Sequence, residues 1–279
     1  MKKPTRSRPI RGANGRIMRS LYAIYRKEMG HYFVSPIAYV VVSLFLLLSG
    51  FFFRLHLNDA IEQSLQAEMQ GMRFGMQQPF DAPTWILRAF LGLLALVILF
   101  FLPMLTMGVY AEERKRGTIE LLMTSPIREI HIVLGKFFAS LTLFGAMLLP
   151  TAGYVFYVFL HSDPAPPLRI VFAGYLGVLL FGGSLLALGS FLSSLTENQI
   201  IAAALTFGAF LLLWAIDFGS RGTGSITGQV VQYLSVINHF DDFTRGIIDT
   251  SGVVYYVSFI VLFIFLTVRS VDSMRWRRA

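Results

Sequence analysis

The chain has no cysteine, so it forms no disulfide and offers no thiolate to a metal. Charge is also scarce. Only 14% of the 279 residues are Asp, Glu, Lys or Arg, where a soluble domain carries about 25%. No Walker-type phosphate loop is present. The Gly-Lys pair Gly135-Lys136 is followed by Phe137 instead of a hydroxyl residue, and Ile130 stands where the first glycine would be. There is no HExxH, and His31, His56, His131, His161 and His239 do not pair at metal-ligand spacing. A serine nucleophile with a nearby base is missing too. These absences argue against an ATPase, a metalloenzyme and a serine hydrolase within this chain. The middles of the apolar runs hold no ionisable residue, which argues against an ion relay of the secondary-transporter kind.

Apolar residues make up 55% of the chain, with 26 Phe and a mean hydropathy of +0.62. That balance places it in the membrane class. A membrane helix needs about 20 mostly apolar residues. Six stretches qualify, at 36–53, 86–110, 132–160, 170–192, 200–217 and 252–268. The fold class is therefore all-α and polytopic. Residues 1–33 form a basic tail and amphipathic helix, 34–269 a six-span domain, and 270–279 a second basic tail.

Lys and Arg choose the orientation. Nine precede the first run, five lie at or near the connection between the second and third, and four follow the last run. The opposite side has six: Arg54, Arg73, Arg88, Arg169, Arg221 and Arg245. Positively charged loops stay cytoplasmic, so both termini and the 111–131 loop are expected there. The net charge of +8 then reflects membrane edges and not nucleic-acid binding. The first run is long for a signal peptide and lacks a small-x-small cleavage site, which predicts an uncleaved span.

Local signals sharpen the boundaries. Ser35-Pro36 and Ser125-Pro126 read as N-cap and first helical residue. Thr196-Glu197-Asn198-Gln199 fits a capping box. Pro103 and Pro150 should kink their helices. Small residues four apart, at Ala173/Gly177, Gly183/Ala187 and Gly189/Ser193, allow close helix approach; packing within one subunit is the simpler reading, and a dimer contact the other.

Four stretches do not span. In 16–33, Ile17, Leu21, Ile24, Tyr25, Met29 and Tyr32 share one helical face and the basic residues lie off it. Such a helix lies in the membrane interface, as an anchor or as a partner's docking surface. Met69, Met72 and Met76, at i, i+3, i+7, read as the apolar face of a short outer helix; thioether ligation of Cu(I) is the competing reading. Residues 226–248 read as one or two short outer helices.

The fourth is "AEERKRGTIELLMTSPIREIHIVLGK", Ala111–Lys136. Glu112, Arg116 and Glu120 can form a ladder along one helix face, while Ile119, Leu122 and Met123 occupy another. A sharply bent, charged connection of this kind suits the transfer of force from a partner into two helices.

This stretch resembles the cytoplasmic signature of ABC-2 type transporter permeases. "RKEMGHYFVSPIAYVV", "LSSLTENQIIAA" and "SVINHFDDFTRGIIDTSGVVYYVS" resemble other parts of the same family, and the closest likeness is to the gliding-motility and nitrous-oxide-reductase-maturation permeases. The resemblance implies a six-span permease subunit of the inner membrane, paired with a second permease chain as a homo- or heterodimer and driven by two copies of a nucleotide-binding ATPase subunit. ATP and Mg would be bound by that partner, so no cofactor is expected here. Glu112, Glu113, Arg116, Gly117, Thr118, Glu120, Leu121 and Pro126 would be the ATPase-coupling residues. The N-terminal helix would complete the dock through Arg19, Tyr25, Lys27 and Glu28. His239, Phe240, Phe243 and Arg245 would lie in an outer re-entrant segment. A periplasmic or accessory subunit is a further possible partner, nucleic acid is not. Two other readings are a non-transporting subunit that transmits force to envelope or motility machinery, and an ATP-independent scaffold.

One substitution tests the loop directly. Glu120→Arg reverses the charge ladder and is expected to weaken ATPase docking without unfolding the spans; unchanged pull-down and unchanged ATPase activity would count against the assignment.

Overall fold

The computed structural model describes residues 13–74, 80–118, 127–220 and 235–276. Among these there are helices and no strands. In chain order they are α1 (Ala13–Val34), α2 (Pro36–Phe74), α3 (Ala82–Thr106), α4 (Gly108–Lys115), α5 (Glu129–Leu148), α6 (Ala152–His161), α7 (Leu168–Leu195), α8 (Gln199–Ser220), α9 (Val236–Thr244) and α10 (Thr250–Trp276).

Among the described residues, five helical stretches are long and apolar enough to cross a membrane: Pro36–Met72, Ala82–Lys115, Glu129–His161, Leu168–Leu195 and Thr250–Met274. The fifth expected span falls on α8, whose apolar part, Gln199–Ala215, is shorter. Outward faces of α2 and α10 carry Ile37, Val40, Leu44 and Leu47, and Val254, Val257, Val261 and Phe265, all exposed. Apolar belts of this size on the outside of a bundle fit lipid and not water.

The bundle is organised around α7, which packs against α10, α3, α9, α8, α4 and α5. Its small residues make that possible. A Cβ on Gly174 would lie 2.3 Å from Leu91, one on Gly182 2.3 Å from Phe144, and one on Gly189 2.4 Å from Thr106. Gly177 faces Phe243 in the same way, at 2.5 Å. Helices in lipid gain little from hydrophobic exclusion and associate by close packing. The small-residue spacing in α7 therefore serves contacts inside the subunit.

Several boundaries differ from expectation. The first run does not stop at residue 53. Arg54–Phe74 continues as helix, because the segment is built from Leu, Gln, Glu, Ala and Met, good helix formers with no proline. At 1.5 Å per residue the 39 residues of α2 reach about 58 Å, twice a bilayer's hydrocarbon core. Met69 and Met72 sit exposed on this extension, so they do not form a packed apolar face; Met76 lies outside the described residues. Pro150 interrupts the third run with a 3₁₀ turn at Leu149–Thr151, whereas α3 continues past Pro103 to Thr106. The expected capping box at 196–199 does not form. Asn198 caps α8 by accepting from the Ile200 N–H at 2.9 Å, and Glu197 turns to Arg114. Ser35 is the single non-helical residue between α1 and α2. Ser125-Pro126 lies outside the described residues, and α5 starts at Glu129, three residues before the expected edge.

Gly182→Ala should lower stability by about 1–3 kcal/mol, as overpacking does, read as a drop in thermal melting in detergent. Gly145→Ala in α5, where a Cβ meets nothing within 4 Å, is the control and should be neutral or mildly stabilising.

Candidate functional site

At one end of the bundle α1, α4 and the start of α5 meet. α1 has the amphipathic face expected for it. Ile24 is buried and Leu21, Tyr25 and Tyr32 are half-buried. Tyr32 shares a 2.9 Å hydrogen bond with Ser140 of α5, and the Tyr25 hydroxyl donates to Thr142 at 3.3 Å. Gly135 lets the two helices close up, since a Cβ there would lie 2.8 Å from Ile24 Cγ2.

The next residue carries the charge. Lys136 is 2% exposed. Its ammonium donates to Glu28 Oε1 at 3.0 Å and to the Val109 carbonyl at 3.0 Å, and lies 3.1 Å from Glu113 Oε1. It also sits over the Tyr110 ring, 5.4 Å from the centroid. Lys27 reaches the same Glu113 oxygen at 3.1 Å from the solvent side. Burial works against the charged form of Lys27, but the carboxylates of Glu113 and Glu28 beside it raise its pKa above the ordinary lysine value. Two lysines and two glutamates from three helices thus form one largely buried cluster. A buried charge is tolerated only when paired and hydrogen-bonded, so Glu28 and Glu113 hold Lys136 in place and it holds them.

α4 is tied on its other side as well. Ser193 Oγ of α7 accepts from the N–H groups of Tyr110 and Ala111, both at 3.2 Å, and donates to the Met107 carbonyl at 2.9 Å. Arg114 donates to the Ser194 carbonyl at 2.8 Å and to Glu197 at 3.1 Å. Ser194 in turn donates to Ser270 of α10. The expected Glu112–Arg116 pair forms. Gly117 ends the helix at φ +68°, a conformation glycine adopts without Cβ strain, and the Thr118 hydroxyl donates back to the Glu113 carbonyl at 3.3 Å. A cavity of about 310 Å³ adjoins the cluster, lined by Lys27, Glu28, Glu113 and Lys136 on one side and Val41, Met104 and Leu105 on another.

The structure brings Tyr25, Lys27, Glu28, Glu112, Glu113, Arg116, Gly117 and Thr118 to this one end. Glu120, Leu121 and Pro126 lie outside the described residues. Arg19 is exposed on α1. At the opposite end Phe240 and Phe243 are buried, Phe243 against Gly177 of α7. His239 stacks on Tyr255 at 4.2 Å, and Arg245 pairs with Asp241. Those four residues belong to α9 and its C-terminus, packed on α7. Sequence reasoning missed Lys136, Arg114, Ser193 and Glu197 as members of the site. A lysine a few residues inside an apolar helix was the available signal for the first.

The sequence profile of the ABC-2 family transporter protein matches residues 22–271, nearly the whole chain, from within α1 to within α10. The chain belongs to this family. It is a multi-pass membrane protein and a permease subunit of the ABC transporter class, whose permeases carry no ATPase of their own. Comparison with curated proteins finds no match.

Removing Lys136 leaves two largely buried carboxylates to share one half-exposed cation, Lys27. Lys136→Met should cost about 3 kcal/mol or more of stability, and adding Glu28→Gln and Glu113→Gln should recover much of it. Lys27→Met, on a half-exposed group, should cost under about 1 kcal/mol. Thermal melting of the four proteins in one detergent checks the order.

Proposed function

We propose that this chain converts ATP hydrolysis in a separate nucleotide-binding subunit into rearrangement of its membrane helices. The observation that carries the reading is the Glu28–Lys136–Glu113 cluster, which joins α1, α4 and the base of α5 into one unit. A partner pressing on α1 or on the segment after Gly117 would move the base of α5 with them. The motion would also reach α3, separated from α4 only by Met107, and α7 through Ser193 and Arg114. In this reading α8 completes six spans, both termini face the cytoplasm of a bacterial inner membrane, and residues 112–126 with α1 form the dock. ATP and Mg are bound by two copies of the partner, and a second permease chain, identical or related, completes the complex. The branch closest in kind is that of the gliding-motility and nitrous-oxide-reductase-maturation permeases.

One feature favours a second reading, in which the complex transmits force without moving a substrate. The extension of α2, about 30 Å beyond the membrane, offers a lever for a periplasmic or accessory subunit. Motility or assembly that depends on ATPase activity without any flux would support it.

Affinity purification of the full chain in mild detergent, with mass spectrometry of co-purifying proteins, tests the main reading. A Walker-motif ATPase at about one copy per permease chain is the expected result. Its absence, even after crosslinking through residues 112–118, would remove the motor and leave the ATP-independent scaffold.

A further inference from the structure

The opposite end holds a second cavity, about 770 Å³, between α3, α7, α8 and α9. Along α3 it is lined by Thr84, Arg88, Gly92, Leu96 and Leu99, positions three or four apart and so on one face. Three features of that face point to a ligand. Arg88 makes no ion pair or hydrogen bond among the described residues. The carboxylates that also line the cavity have partners other than Arg88, Asp81 accepting from the Thr84 N–H at 3.2 Å and Asp241 pairing with Arg245. The Thr84 hydroxyl is buried with no partner. Gly92 is exposed, and a Cβ there would meet nothing within 4 Å. Deeper in, the wall is apolar, with Ala95, Leu99 and Phe181.

The dimensions identify the kind of ligand. Ala89–Ala111 carries no charge and spans about 34 Å as helix, close to the hydrocarbon thickness of a bilayer. Arg88 therefore sits at the level of lipid phosphates. From Arg88 to Leu99 the helix rises about 16 Å, one leaflet's depth of acyl chain. An arginine that merely snorkels to the interface would need neither a cavity beneath it nor an unpartnered hydroxyl beside it.

We propose that this groove binds one anionic phospholipid, its phosphate on Arg88 and Thr84 and an acyl chain along Gly92, Leu96 and Leu99. Arginine supplies a charge-assisted, forked set of donors suited to phosphate. Treating the lipid as cargo rests on the permease reading, but occupancy of the groove needs no ATPase, so the test uses this chain alone.

Of the three tryptophans, Trp85 and Trp214 line the cavity, while Trp276 is the last residue of α10. The purified full chain is placed in phosphatidylcholine bilayers, and brominated-chain phosphatidylglycerol is titrated in while tryptophan quenching is followed. Quenching should show phosphatidylglycerol bound about tenfold more tightly than brominated phosphatidylcholine, the factor expected of one charge-assisted hydrogen-bonded contact. Arg88→Gln should bring the ratio to about one, Arg88→Lys should retain most of the preference, and Gly92→Leu should reduce quenching by either lipid. No headgroup preference in the parent chain, or a preference that survives in Arg88→Gln of normal elution profile, overturns the proposal. Displacement of the brominated lipid by millimolar inorganic phosphate also overturns it, and would mark a site for a soluble anion instead.

Discussion

An ammonium group inside a helical bundle cannot stand alone. Desolvating a lysine is costly unless opposite charge and hydrogen-bond acceptors surround it, and Lys136 obtains both from outside its own helix: Glu28 from α1, Glu113 and the Val109 carbonyl from α4. The position of the N-terminal helix follows from this constraint. Without it, α1 would be an amphipathic helix free to rest anywhere on the membrane surface. With it, α1 has one place to dock, and that place is also where the charged connection leaves α4. The close approach at Gly135 and the hydroxyl contacts of Tyr25 and Tyr32 refine a geometry that the buried charges require.

The rest of the bundle answers a different constraint. Where hydrophobic exclusion is weak, helices are held by intimate contact, and α7 supplies the contact surfaces by omitting side chains at Gly174, Gly177, Gly182 and Gly189. Large residues of α3, α5 and α9 fill those notches. The bundle thus has a packed centre along α7 and a polar knot at one end. Ser193, Ser194 and Arg114 connect the two.

Much of this was legible in the sequence because it is periodic or local. Apolar runs gave the long helices, the 3.6-residue spacing gave the buried face of α1, and the Glu112–Arg116 spacing gave a pair that forms. What was not legible depends on distance along the chain. Glu28 reads as one more polar residue of a basic helix until Lys136, 108 positions later, is seen beside it. Glu197 looked like part of a local cap, but Arg114 outcompetes the backbone for it. The long α2 was missed because hydropathy falls at Arg54 while helix propensity does not; the two signals separate there, and membrane exit was mistaken for the end of a helix. Arg88 counted only toward the charge of one membrane side, since nothing local shows that a cavity opens beneath it.

The separation of 108 residues between Glu28 and Lys136 also has a meaning in time. A ribosome adds roughly 5–20 residues per second, so about 5–20 s pass between the synthesis of α1 and that of the residue that fixes it. Throughout that interval the first amphipathic helix exists beside α2, joined to it at Ser35, with Glu28 still open to water. Final seating of the N-terminus is therefore a late event in the biogenesis of the chain, and a truncated product ending before Lys136 would present a basic, unseated helix to the membrane surface.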